Sequence, residues 1–384
     1  MSTSLTLALG IWRAVLFTPG GELPFNFEIN KSKEQYTITL INGDERLLLD
    51  DIKTTGDSVI ARFPVYESEL RLKLNGDTLT GVFNNLTRQT NASIPMKAVA
   101  GDSRRFISSN PTVYDPSGKW SVQFSPMQKS EVNAVGVFTK DKKSNKLTGT
   151  FLTPSGDYSY LEGVVTGDSL MLSTFNGVFV YLFKAKITDD TMRGMYWSGT
   201  HHNEPWSALR DANASLPDPN ELTTINGPFS FSFPDLDSVM VSLNDDRFKN
   251  KVVVVQFLGS WCPNCLDETA YLTKYYDKNK SKGVEFVGLS FEKTDDFSRA
   301  ASNVTRFKNR LGVNYTLLIA GNRTKRQEIY PGLENFQGYP TTVFLDRKHR
   351  VRKIHAGFNG PATGAEYEKF KDEFEKFMQV LMAE

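Results

Sequence analysis

Val252-Val-Val-Val-Gln-Phe-Leu-Gly-Ser-Trp-Cys-Pro-Asn-Cys265 decides how the second half of this chain folds. Its opening Val/Phe run has no polar alternation, the pattern of a central strand covered on both faces. The run then breaks at a Cys-x-x-Cys pair and passes into a helical pattern. Pro263 suits the first helical turn, where its missing N–H is not needed, and the spacing brings Cys265 one turn in, close enough to Cys262 to bridge. Cys262 is therefore expected at a helix N-terminus. Unpaired N–H groups and the positive end of the macrodipole favour a thiolate there. That makes Cys262 the expected nucleophile of thiol–disulfide exchange and Cys265 the thiol that resolves the mixed disulfide.

The chain has 384 residues and a formal net charge of +1. Such a length exceeds one ordinary core, and such a charge implies no polyelectrolyte partner. The basic segment Arg347 to Lys353 reads as a solvated hairpin turn and not as a nucleic-acid patch. Cys262 and Cys265 are the only cysteines. A chain with one Cys-x-x-Cys and no other thiol avoids mispairing, which suits an oxidising compartment. No segment reaches the roughly 20 apolar residues of a membrane helix. The opening Met1-Ser-Thr-Ser-Leu-Thr-Leu-Ala-Leu-Gly10 lacks the basic n-region of a signal peptide and reads as a first strand. An export signal is expected either to have been removed or not to exist.

Residues 1 to about 213 are rich in Thr, Val, Phe and Tyr and carry turn signals such as Asn75-Gly76-Asp77, an all-β pattern. They also repeat. Thr55-Gly-Asp-Ser58 aligns with Thr166-Gly-Asp-Ser169, and Asp77-Thr-Leu-Thr-Gly81 with Asp190-Thr-Met-Arg-Gly194. Each copy opens on Gly-x-Trp (Gly10 to Trp12, Gly118 to Trp120) and closes on Pro-x-x-Ala (Pro95 to Ala98, Pro205 to Ala208). Two β-meanders of about eight short strands are expected, each able to curl into a small barrel or sandwich. Asp211 to Asn220, polar and with two prolines, reads as a linker. Beyond it strands and helices alternate, giving a three-layer α/β arrangement on a mixed sheet. The expected division is a β-rich repeat over 1–105, a second over 106–213, a linker over 214–222 and an α/β domain over 223–384.

Phe257-Leu-Gly-Ser-Trp-Cys-Pro-Asn-Cys-Leu-Asp-Glu268 with Gly338-Tyr-Pro-Thr-Thr-Val-Phe-Leu-Asp346 resembles the thioredoxin superfamily, in particular its TlpA/ResA-like thiol:disulfide oxidoreductases, near the AhpC/TSA and redoxin families. The resemblance covers about 223–384. The β-rich repeats look like the extensions that such oxidoreductases carry in some bacteria. The resemblance implies a thioredoxin-like fold, with Cys262 as attacking thiol, Cys265 as resolving thiol and Pro340 as a cis-proline facing them. The Tyr339 backbone would then turn toward the disulfide to meet an extended client polypeptide, with Trp261 as an apolar lid and Pro263 beside it. It also implies protein thiols and disulfides as partners, an electron donor, no cofactor beyond the disulfide, and a place in cell redox homeostasis. A cell-envelope or periplasmic location follows from it as well, although the missing signal peptide leaves the cytoplasm open.

Departures from the family pattern carry expectations too. Gln256 occupies the strand position where thioredoxins bury an aspartate, so another base is needed. Glu292, at the end of Val284 to Phe291, matches a glutamate of ResA-like proteins and could exchange a proton with Cys265. Ala270 replaces a helix-kinking proline, so the helix is expected to run straight. Zinc would need about four ligands, and none of His201, His202, His349 and His355 falls at ligand spacing from the cysteines. Two other functions compete. One is a redoxin-type peroxidase with antioxidant activity, disfavoured by Gly259 and Val255 where an activating Thr/Ser and a proline are expected. The other is a β-rich binding module with a redox appendage.

Overall fold

The structure, a computed structural model, describes residues 5–107 and 110–384. It forms two compact units, Met1–Phe151 with Tyr158–Ser215, and Leu152–Asp157 with Leu216–Glu384. The first unit holds two nine-stranded sheets. In the first sheet every strand pairs with its chain neighbours, and Gly10–Thr18 also pairs antiparallel with Ser93–Ala100. Its edges are Glu45–Leu49 and Asp51–Thr55, separated by Asp50 alone. In the second sheet Gly118–Phe124 pairs with His202–Arg210, and Val132–Lys140 with Lys146–Thr153, which closes the ring. Closure leaves few free strand edges to recruit other chains. Each sheet has one strand more than the expected eight or so. Nor does a strand start at Met1. Leu5–Leu9 are irregular, the first strand begins at Gly10, and Met1–Ser4 lie outside the described residues.

The sequence repeat is a repeat of packing. Trp12 Nε1 donates to Ala8 O at 3.0 Å and Trp120 Nε1 to Pro116 O at 2.8 Å, both rings being fully buried. Gly81 and Gly194 lie against the neighbouring strand, where a Cβ would come within 2.0 Å of Arg71 O and of Lys184 O respectively. Only glycine fits at either place.

Between the two sheets of this unit lies Arg105, 5 % exposed. Its Nε donates to Ser173 Oγ (2.9 Å), its Nη1 to Ile41 O (2.9 Å), and its Nη2 to Asn42 Oδ1 (2.9 Å) and Ser173 O (3.0 Å). Asn42 Nδ2 in turn donates to Phe175 O at 2.9 Å, and the Phe25 and Phe175 rings pack 4.5 Å apart. Desolvation lowers the guanidinium pKa to about 10, which still leaves it charged at neutral pH. Arg105→Ala would strand these acceptors without water. We expect it to lower the stability of the N-terminal unit by about 3 kcal/mol, read as an earlier denaturant midpoint.

The second unit is built on a five-stranded sheet. Its strands are β1 (Val252–Leu258), β2 (Val284–Glu292), β3 (Thr316–Asn322), β4 (Thr341–Leu345) and β5 (Val351–Ala356), in the order β3-β2-β1-β4-β5. β1, β2 and β3 are parallel, while β4 and β5 run antiparallel. The long helices are α1 (Pro263–Asn279), α2 (Phe297–Leu311) and α3 (Ala365–Ala383). Asp296 caps α2 by accepting from Arg299 N at 2.9 Å, and Gly312 ends it. β1 is buried along its whole length, which explains its unbroken apolar sequence.

Alternate residues of β1 serve different layers. Val253, Val255 and Phe257 join a cluster with Phe229, Phe231, Phe248, Leu289, Phe291 and Leu345. No residue of α1, α2 or α3 belongs to that cluster, so this face is covered by irregular chain and the short hairpin Ser232–Pro234/Met240–Ser242. The expected third layer of long helices is absent from this face. Gln256 points the other way, toward α1. There Tyr271 and Tyr275 of α1 meet Phe374 of α3, ring centroids 5.2 and 5.0 Å apart. The basic turn is a hairpin organised by Asp346, which accepts from the Lys348 and Arg350 backbone N–H groups at 2.9 Å and from Arg350 Nε at 2.7 Å.

Candidate active site

β1 ends at Leu258 and delivers Cys262 to the start of α1. Cys262 is the N-cap residue in extended conformation, Pro263 occupies the first helical position, and Cys265 N donates to Cys262 Sγ at 3.2 Å. The two cysteines form a disulfide with their Cα atoms 5.2 Å apart. Cys262 is 5 % exposed and Cys265 fully buried, so an incoming group meets Cys262 first. The helix N-terminus presents N–H groups to that sulfur, as a thiolate requires. α1 runs without interruption past Ala270.

The second motif closes the site. The Tyr339–Pro340 bond is cis, and Tyr339 O lies 3.5 Å from Cys262 Sγ. Trp261, half-buried, donates from Nε1 to Phe291 O at 2.9 Å and meets the Tyr339 ring edge-on, centroids 5.6 Å apart. Glu292 is 1 % exposed and ends β2 beside this loop. Its carboxylate accepts from Ser260 N (2.9 Å), Ser260 Oγ (2.7 Å) and Ser290 Oγ (2.7 Å). It thereby holds the residues just before Cys262.

Two contributors were not singled out in the sequence. Glu268, one helical turn past Cys265 and 1 % exposed, lies between β1 and β4. Gln256 Nε2 donates to it at 2.6 Å, and Thr342 Oγ1 lies 3.0 and 3.1 Å from its two oxygens. Thr269 Oγ1 donates to Gln256 Oε1 at 2.9 Å, which fixes the amide. The strand position where thioredoxins carry an aspartate is thus linked by an amide to a carboxyl on the helix. The inward face of α1 at the third position after Cys265 was the available signal. Burial pushes the Glu268 carboxyl up to about 7, although the hydrogen bonds from Gln256 and Thr342 pull it down.

Asp157 is the other, in the segment Leu152–Asp157 of this same unit. Its main-chain O accepts from Asn264 Nδ2 at 3.2 Å, and its buried carboxylate accepts from Gly360 N at 2.6 Å. Gly156 has φ +132°, and a Cβ there would fall 2.0 Å from Asn264 Nδ2. The residue between the cysteines is therefore held by chain more than a hundred residues upstream.

His201 and His202 have separate partners. His201 Nε2 lies 3.0 Å from Arg88 Nη2, and His202 Nε2 3.1 Å from Glu204 Oε1. Among the described residues no group of three His, Cys, Asp or Glu side chains is placed to hold a metal ion.

A Cys-x-x-Cys disulfide on the first turn of a helix, facing a cis-proline loop at the end of a mixed sheet, defines a thioredoxin-fold domain built for thiol–disulfide exchange. Residues 223–370 match the Redoxin family. The chain is related to thiol-disulfide oxidoreductases. It is 31 % identical over 122 residues to thiol-disulfide oxidoreductase ResA of Bacillus thuringiensis (strain Al Hakam), covering 32 % of this chain and 63 % of that protein. It is 33 % identical over 158 residues to chloroplastic peroxiredoxin Q of Suaeda salsa, covering 40 % of this chain and 66 % of that one. A solved thiol:disulfide interchange protein of Chlorobium tepidum TLS is similar over 44 % of this chain and 99 % of its own, at 22 % identity and a TM-score of 0.31.

Glu268 makes stability pH-dependent in a defined window. Its folded pKa, about 7, lies above the ordinary 4.5, so the neutral form favours the folded state. That contribution is complete below about pH 4.5 and is lost as pH rises through about 7. We expect the C-terminal unit to lose up to about 3 kcal/mol across this window and Glu268→Gln to flatten the loss, measured by denaturant titrations at a series of pH values.

Proposed function

We propose that the protein is a TlpA/ResA-like thiol:disulfide oxidoreductase that acts on protein cysteines through the Cys262-Pro-Asn-Cys265 pair. One observation carries the reading: an accessible sulfur caps α1, its buried partner lies one turn in, and the Tyr339 carbonyl is 3.5 Å from the outer sulfur. In the reducing direction the Cys262 thiolate attacks a client disulfide. One client sulfur leaves as thiolate and the other is held in a mixed disulfide. Cys265, deprotonated, then attacks Cys262 Sγ, which restores the internal disulfide and releases the second client thiol. Two electrons pass from the dithiol to the client, and a dithiol donor protein returns them.

Cys265 must lose a proton in the second step. Glu268 is the acceptor in this scheme, since it lies one turn along the same helix and its burial-raised pKa is near neutrality. Glu292, already accepting from three donors, positions Ser260 and Trp261. Trp261, Pro263, Tyr339 and Pro340 form the client-facing surface. A role in cell redox homeostasis within the cell envelope agrees with a chain whose only thiols are this pair. No helix among the described residues is long and apolar enough to cross a membrane.

The likeness to peroxiredoxin Q supports a second reading, a thiol peroxidase with antioxidant activity. A pair of variants separates the two. In Cys265→Ser nothing resolves the adduct, so a mixed disulfide with a client protein should accumulate on a non-reducing gel, and in Cys262→Ser none should form. Rapid peroxide consumption by Cys265→Ser without a trapped client would replace the oxidoreductase with the peroxidase.

A further inference from the structure

A band of cations lies over the aromatic rings that border Cys262. Arg323 and Lys293 both stack on Trp261, 4.8 and 5.1 Å from its ring centroid, and Arg326 lies 4.4 Å from that of Phe336. Phe336 and Trp261 each meet the Tyr339 ring edge-on, at 5.0 and 5.6 Å. The three rings thus form one continuous half-buried surface that begins at the residue before Cys262 and ends at the cis-proline loop.

The carboxylates nearby do not neutralise this band. Glu292, beneath the rings, is buried and occupied by Ser260 and Ser290. Asp295 pairs with Lys325 at 2.8 Å, and Asp296 caps α2. Glu328 lies on the same short helix as Arg326 and acts electrostatically on Lys325. Arg323 is exposed and Arg326 half-buried, and neither has a carboxylate within ion-pair distance among the described salt bridges. Arg326 instead donates to Leu333 O at 3.2 Å, to Tyr330 O at 3.5 Å and to Gln327 Oε1, which orients the group without cancelling its charge.

We propose that this surface docks the client, and that the segment flanking the client's cysteine is acidic. The inference rests on the oxidoreductase reading above and adds the substrate class. Aromatic and Arg side chains are the types that anchor protein interfaces, and cations already stacked on rings give up little freedom when they bind a carboxylate. Opposite charge beside the reacting sulfur would speed encounter and fix the register of the client cysteine on Cys262.

The test uses the full chain, reduced beforehand, and two synthetic peptide disulfides that differ only in Glu or Gln on either side of the cysteine. The acidic peptide should react about tenfold faster at low ionic strength, and added salt should shrink that advantage. Arg323→Gln should cut the ratio of the two rates by about fivefold, and Arg323→Glu should reverse the preference. Equal rates for both peptides with the parent protein would overturn the proposal. So would an equal slowing of both peptides by Arg323→Glu together with a shifted Cys262 thiolate titration, because the cations would then act on the sulfur and not on the client. If neither peptide exchanges at all, the oxidoreductase reading falls first.

Discussion

A carboxyl group buried beneath the disulfide fixes where the cysteines stand. Glu268 reaches from α1 to Gln256 on β1 and to Thr342 on β4, two residues past Pro340. These three elements carry the parts that must meet: the helix start that presents Cys262, the central strand that leads into it, and the loop whose Tyr339 carbonyl approaches the sulfur. Hydrogen bonds to a buried carboxyl are strong because no water competes for it, and removing one partner strands the others. The same burial that rigidifies the junction also moves the carboxyl's titration toward neutrality. One group therefore ties the site together and stands ready to change protonation within it.

Much of this was legible in the sequence, for reasons that differ by element. The unbroken run Val252 to Leu258 and the pair Cys262 and Cys265 are local signals, because strand burial and helix capping depend on neighbours in the chain. The β-repeats were legible because their constraint falls on single residues: Trp12 and Trp120 in the core, Gly81 and Gly194 where strands crowd. Glu268 was quoted in the motif but given no task, since nothing local says which face of α1 turns inward at that position. The cover over the Val253, Val255 and Phe257 face was misjudged as helical, because a long apolar strand demands a cover without specifying its secondary structure. The strand expected over Met1 to Gly10 begins only at Gly10, where Trp12 enters the core.

The N-terminal unit solves a similar problem with the opposite charge. Arg105 is taken out of water between two sheets, and a guanidinium there is tolerable only if its donors find acceptors. Four are supplied, from Ile41, Asn42 and Ser173. Two come from the first repeat and two from the second. The repeats could each fill a core with their own aromatic residues, but this cation is satisfied only when both are folded and in register, so it makes one cooperative unit of a duplicated sequence.

Asn264 adds a constraint that the cysteine motif does not contain. Its amide donates to the Asp157 carbonyl, Gly156 leaves the room that this amide fills, and the Asp157 carboxylate is anchored on Gly360 N. All of that hold comes from Leu152–Asp157, which packs with the C-terminal unit yet lies outside the 223–370 segment that matches Redoxin. A residue between two cysteines influences their chemistry through the backbone it shares with both, because the disulfide and dithiol states place different demands on that short loop. The redoxin-type fold explains why Cys262 caps a helix. It leaves unexplained how the loop between the sulfurs is restrained, and in this protein that restraint is supplied by chain drawn from elsewhere in the sequence.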